Sequence, residues 1–134
     1  ISDDVTVYAA YKSAYKSGGL SNSGIYSALS TTPDEDFLFE PEKARGFEVG
    51  LKTTLLDNQL RFNTTLYRYK YTNLQVDFFN APTFAFLTIN AGAAIAKGVE
   101  TEFEFAPRAL PGLTMNASLN YNEARYESFT GPCY

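Results

Sequence analysis

Glu100, Glu102 and Glu104 are the side chains best spaced for acid–base chemistry, three carboxylates at alternate positions of one short stretch. A carboxylate works as a general acid or base when a partner stands at a set distance and its pKa is moved toward the working pH. Alternate spacing puts all three on one side of an extended strand. A solvated side supplies neither partner nor shift, so they read as a hydrated wall paired with Lys52 and Arg61 of neighbouring strands. A second acidic group, Pro33-Asp34-Glu35-Asp36, offers oxygen ligands of the kind that hold hard cations. It lacks the Asp-x-Asp-x-Asp-Gly spacing of a calcium loop and reads as a solvated loop. The chain has no His and one Cys, Cys133. Without imidazole no familiar Ser–His pair forms, and no zinc or haem site can be assembled from this chain alone. Gly18-Gly19 is followed by no Lys-Ser/Thr pair and is not a phosphate loop. The sequence therefore predicts a protein that is not an enzyme and carries no cofactor. Cys133 reads either as an inert lone thiol or as half of a disulfide whose partner lies downstream.

Composition narrows the partners. The net charge is −4, the sequence pI is about 4.8, and basic residues are scattered singly, which leaves no nucleic-acid footprint. Ten Tyr and eleven Phe against few Lys favour strands over helices. No run of 18 or more apolar residues offers a membrane helix. The acidic start Ile1-Ser2-Asp3-Asp4 has no signal-peptide pattern and reads as the middle of a longer chain.

Five segments alternate with period two, as strands with two unlike faces do. They are predicted at 5–16, 44–56, 60–76, 88–105 and 113–126. In the second, Phe47, Val49, Leu51, Thr53 and Leu55 oppose Gly46, Glu48, Gly50, Lys52 and Thr54. In the fourth, Val99, Thr101, Phe103 and Phe105 oppose Gly98, Glu100, Glu102 and Glu104. The third blurs where Arg68 and Lys70 reach the apolar parity. A bulge would explain that, but strand length favours a strand that has left its apolar band, since roughly 10 tilted residues cross about 25 Å. Connections alternate between long (17–43, 77–87 and beyond 126) and short (57–59, 107–112).

Predicted strands of about 12 to 18 residues exceed the 5 to 6 usual in globular sheets. Long strands and alternating loops suit an all-β, antiparallel up-and-down transmembrane barrel, with long loops outside and short turns in the periplasm. The alternative is a soluble ligand-binding β-sandwich whose apolar faces meet. Aromatics near strand ends (Tyr11, Tyr15, Phe47, Tyr67 to Tyr71, Phe103, Phe105, Tyr121, Tyr126) fit interfacial girdles.

Four motifs carry a resemblance: Tyr15-Lys16-Ser17-Gly18-Gly19, Phe39-Glu40-Pro41-Glu42, Phe47-Glu48-Val49-Gly50-Leu51-Lys52, and Asn90-Ala91-Gly92 with Gly98-Val99-Glu100. In this order and spacing, over most of the chain, they resemble the barrel of TonB-dependent outer-membrane receptors. The resemblance implies that residues 1–134 are a segment of that barrel domain, about five of roughly 22 strands, with plug and remaining strands absent. It also implies a Gram-negative outer-membrane location in contact with lipid. The implied function is active uptake of a scarce small-molecule nutrient, such as a ferric siderophore, through the receptor's own plug and TonB. A loop disulfide in some relatives would suit Cys133. The alternative within membranes is a passive porin segment.

On this reading Lys12, Glu48, Lys52, Arg61, Glu100 and Glu102 line the lumen and face the plug. Phe37, Phe39, Phe78, Phe79, Phe84 and Phe86 fall in extracellular connections, where binding residues concentrate. Five strands close no barrel, so the chain alone is expected not to fold stably in water.

Overall fold

The structure is a computed structural model that describes residues 4–21, 38–80 and 85–131. Phe37, Phe84, Cys133 and the Pro33–Asp36 cluster lie outside the described residues. The strands are β1 (Val5–Lys16), β2 (Gly19–Leu20), β3 (Leu38–Phe39), β4 (Glu42–Leu55), β5 (Leu60–Thr72), β6 (Gln75–Asn80), β7 (Ala85–Asn90), β8 (Gly92–Phe105) and β9 (Met115–Phe129). The fold is all-β, as the alternation predicts. The five long strands form one sheet in the order β1-β4-β5-β8-β9, an up-and-down meander with two unpaired edges. Cross-strand partners run in opposite senses: Arg61 meets Glu104, and Thr64 meets Thr101. That is the antiparallel arrangement.

The chain divides into two compact units, Ile1–Lys12 with Gly46–Tyr69 and Ala96–Ala124, and Ser13–Arg45 with Lys70–Ile95 and Arg125–Tyr134. In the first unit much of the apolar parity stands exposed. Phe47 is 65 % exposed and Leu119 70 %, which in water would leave unburied the surface that drives folding. Hydroxyls on this parity are satisfied within the sheet. Thr53 Oγ1 donates to the Phe62 carbonyl at 2.8 Å, and Thr64 Oγ1 to the Glu100 carbonyl at 3.2 Å. Such internal pairing is what a face without water requires.

The short turns of this unit are tied together. Leu56, Asp57 and Asn58 are left-handed, with φ of 56°, 53° and 66°. A short polar side chain makes that conformation tolerable at Asp57 and Asn58. The Gln59 amide closes the turn on the Leu56 carbonyl at 3.2 Å. Arg108, from the β8–β9 turn, donates to the Asp57 carbonyl at 2.7 Å.

The second unit corrects two strand boundaries. The predicted strand 60–76 breaks at Asn73, whose φ is 55°, and the predicted strand 88–105 breaks at Ala91. Beyond these breaks β6 and β7 pair as a hairpin, from Gln75↔Asn90 to Asn80↔Ala85, where a loop was expected. The joint is a knot of main-chain bonds. Leu74 and Ala91 are bonded through Ala91 N at 2.7 Å, and Leu74 N reaches the Gly92 carbonyl at 3.0 Å. Gly92 has φ +127°, and a side chain there would strike the Ser128 carbonyl. β2 and β3 form a second small ladder, Gly19↔Phe39 and Leu20↔Leu38. Two residues per strand are too few to show periodicity in a sequence.

Polar wall and loop hairpin as the candidate functional site

The polar parity of the first unit gathers the predicted wall residues on one face. Glu48 is the hub. Its carboxylate accepts from Lys12 Nζ at 2.5 Å, Tyr8 OH at 3.0 Å and Tyr69 OH at 3.0 Å. Three strands thus converge on one side chain. Tyr8 OH also lies 3.1 Å from Thr65 Oγ1. Lys52 sits 5.6 Å from the centroid of the Tyr8 ring, close enough for a cation–π contact. The rings lie flat over the sheet because the residues beneath them have no side chain. A Cβ at Gly50 would strike the Tyr8 ring, and one at Gly46 the Tyr69 ring.

Farther along the same face, Arg61 reaches Glu104 at 3.5 Å, and Asn120 donates to Glu100 at 3.3 Å. Glu102 lines an open cleft of about 570 Å³ with Arg61, Asn63, Glu104, Asn116 and Ser118. Asn63 and Asn116, which open the sequence's Asn63-Thr64-Thr65 and Asn116-Ala117-Ser118 triplets, lie on strands β5 and β9 and line this cleft. One expected pairing does not occur. Lys52 stands on β4 and the glutamates on β8, with β5 between them, so of the two expected basic partners Arg61 alone pairs with one of them, Glu104. The girdle assignment also needs correction at Tyr67 and Tyr69. The Tyr69 hydroxyl reaches Glu48, and the Tyr67 ring lies over Gly98 on the polar face. Tyr11 and Phe47 do stand exposed on the apolar parity, their rings 5.0 Å apart. β5 runs to Thr72 and carries both Arg68 and Lys70.

In the second unit a polar clasp binds the β3–β4 connection to the β6–β7 hairpin. Asn90 Oδ1 accepts from the Glu40 amide at 2.6 Å, and Asn90 Nδ2 donates to the Glu40 and Asn73 carbonyls at 3.0 and 2.9 Å. Asn73 donates to the Glu40 carboxylate at 2.7 Å. Glu42 accepts from the Gln75 amide at 3.0 Å, and Gln75 Nε2 reaches the Ser17 carbonyl at 2.9 Å. Ser21 bonds the Thr88 amide at 2.7 Å. Neither Glu40, Asn73, Gln75 nor Asn90 was singled out as a site residue in the sequence. Two of them lie in the Phe-x-Pro-Glu and Asn-Ala-Gly motifs, and these motifs meet at the clasp.

The clasp steadies an aromatic rung. Along the hairpin, Gln75↔Asn90, Asp77↔Thr88 and Phe79↔Phe86 follow one another on one face. The Phe79 and Phe86 rings are 5.3 Å apart and tilted, and Phe86 is 70 % exposed. Phe78 pairs with buried Leu87 on the opposite face. Phe39 packs its ring on Gly19.

Comparison with known proteins now bears on this arrangement. The family model described as "TonB dependent receptor-like, beta-barrel" matches residues 1–132. The chain belongs to the TonB-dependent receptor β-barrel family. The fold agrees with solved receptors of this architecture. The alcaligin outer-membrane receptor FauA of Bordetella pertussis superposes with a TM-score of 0.60 at 19 % identity, over 99 % of this chain and 22 % of that one. The pyoverdine receptor FpvA of Pseudomonas aeruginosa, bound to pyoverdine, gives 0.64 at 20 % identity, over 97 % and 18 %. No curated protein matches the chain significantly. The chain thus spans about a fifth of the length of these receptors. A TonB-dependent receptor barrel is a transport-receptor fold, and among the described residues its five-stranded sheet is not closed into a barrel.

Proposed function

We propose that this chain is a stretch of barrel domain, residues 1–134, from an outer-membrane receptor that takes up a small-molecule nutrient under TonB control. The polar face, with Lys12, Glu48, Lys52, Arg61, Glu100 and Glu102, lines the lumen and faces the receptor's own plug. The apolar face meets lipid of a Gram-negative outer membrane. The β2–β3 ladder and the β6–β7 hairpin stand on the extracellular side, because they replace the long connections of the meander. Phe79 and Phe86 form the ligand platform, and Phe39 and Phe78 support the segments around it. Phe37 and Phe84 complete the same aromatic set in the sequence.

The exposed Phe79–Phe86 pair carries this reading. Two large rings held open at 5.3 Å on a clasped hairpin are a preorganised surface for a flat or aromatic ligand. A ferric catecholate siderophore presents aromatic chelating rings at its surface, and the siderophore receptors with this fold favour the assignment. Movement of the plug when TonB pulls would then admit the ligand, driven by the proton-motive force.

The test is uptake of a radiolabelled ferric siderophore panel by cells carrying the full-length receptor. Phe79→Ala with Phe86→Ala should weaken binding by about tenfold, at roughly 0.5–1.5 kcal/mol per aromatic contact. A protonophore should abolish uptake while sparing binding. Uptake that survives the protonophore would move the chain to the passive-pore reading.

A further inference from the structure

The β6–β7 hairpin has two unlike faces. On one, Val76↔Ile89 and Phe78↔Leu87 follow one another as apolar pairs, and Leu87 is buried. The other carries Asp77↔Thr88 and then Phe79↔Phe86, with Phe79 43 % and Phe86 70 % exposed. The first face already gives the hairpin its apolar packing, so packing does not account for two large rings on the open side. Asp77 adds a charge to that side. It is exposed and one rung from the rings, and alternate residues of a strand stand about 7 Å apart. Its Oδ1 accepts from Thr88 Oγ1 at 2.6 Å, which leaves Oδ2 without a hydrogen bond among the described residues. No Lys or Arg among the described residues forms an ion pair with it.

We propose that Asp77 is a charge-selecting subsite beside the aromatic rung, so that the receptor prefers an aromatic chelate carrying an amine arm over the same chelate without one. A ring of the chelate lies on Phe79 and Phe86 while the ammonium of the arm meets the open oxygen of Asp77. There the cation also stands beside the Phe79 ring, whose π electrons attract it. A carboxylate with no fixed cation repels an anionic chelate and draws in one whose amine offsets part of that charge. Charge complementarity thus adds selectivity to what the flat rings accept by shape.

The proposal rests on the aromatic-platform reading, and one experiment separates the two. The probes are a ferric tris-catecholate with a single lysine arm and the same chelate with that amine acetylated. Both carry radiolabelled iron, and equilibrium binding to the full-length receptor in detergent is measured. The amine form should bind about fivefold tighter, the combined effect of an exposed ion pair and a cation–π contact. In the wild type that preference should shrink as salt is raised to about 0.5 M, where screening is strong. Asp77→Asn should erase the preference. Thr88→Val, which removes the hydroxyl and keeps the charge, should preserve it. Phe79→Ala with Phe86→Ala should weaken both forms. Equal wild-type affinity for the two forms, a preference indifferent to salt, or one that persists in Asp77→Asn overturns the charge subsite, while the platform stands if the alanine pair still weakens both forms. Binding of neither form, or affinities that the alanine pair leaves unchanged, overturns the platform reading and this inference with it.

Discussion

Asn90→Ala should loosen the joint between the β3–β4 connection and the hairpin without disturbing the long sheet. The wild-type side chain makes three bonds, to the Glu40 amide at 2.6 Å and to the Glu40 and Asn73 carbonyls at 3.0 and 2.9 Å. A typical intramolecular hydrogen bond contributes about 1 kcal/mol net, giving about 3 kcal/mol for the set. Water can reach the half-buried rim and re-satisfy part of it, which lowers the expected cost to about 2 kcal/mol. At 1.4 kcal/mol per factor of ten, the Glu40 amide should exchange about 30-fold faster. Hydrogen exchange with mass spectrometry on the membrane-embedded receptor reads this directly, with peptides covering 38–42 compared with peptides from β4. Faster exchange confined to the first set is the expected result. Unchanged exchange at 38–42 would refute the clasp as the element that holds this connection.

Other substitutions test the two faces. Gly50→Leu drives a side chain into the Tyr8 ring and should cost about 1–3 kcal/mol, seen as a lower midpoint in urea unfolding from lipid. Val49→Arg places a charge on the apolar face and should cost about 2–4 kcal/mol near the bilayer midplane. Asn63→Arg, in the polar cleft beside Glu102 and Glu104, should be close to neutral in the same assay. The 134-residue chain by itself leaves β1 and β9 as open edges. Sedimentation in detergent-free buffer should therefore find aggregates, and a cooperatively unfolding monomer there would favour a self-contained sandwich.

The long strands were legible because both faces obey a strict period of two. Phe47 to Leu55 against Gly46 to Thr54 gives β4, and Val99 to Phe105 against Gly98 to Glu104 gives β8. The wall residues followed from the same parity, and Lys12 and Glu48 meet as that parity allows. The sequence could not say that Lys52 and the glutamates are separated by β5, because parity assigns a face and not a lateral neighbour. The hairpin was hidden for a different reason. Phe78 and Phe79 are adjacent large rings, and with Val76 and Asp77 they blur the alternation. Asn73 in the left-handed region and Ala91 between β7 and β8 are local breaks with no strong turn signal. The clasp was the least legible feature. Its bonds join Glu40 to Asn73 and Asn90 across long chain separations, and only the motifs that hold Glu40 and Asn90 hinted that those two positions matter.

The most direct test of the two-faced wall is spin-label accessibility along β8 in the bilayer-embedded receptor, with every native cysteine of the receptor, Cys133 included, replaced by Ser. Labels are placed singly from position 98 to 105. The wall account predicts collisions with oxygen dissolved in lipid at 99, 101, 103 and 105, and collisions with a water-soluble nickel chelate at 98, 100, 102 and 104. Equal accessibility on both parities, or the reverse pattern, would contradict it.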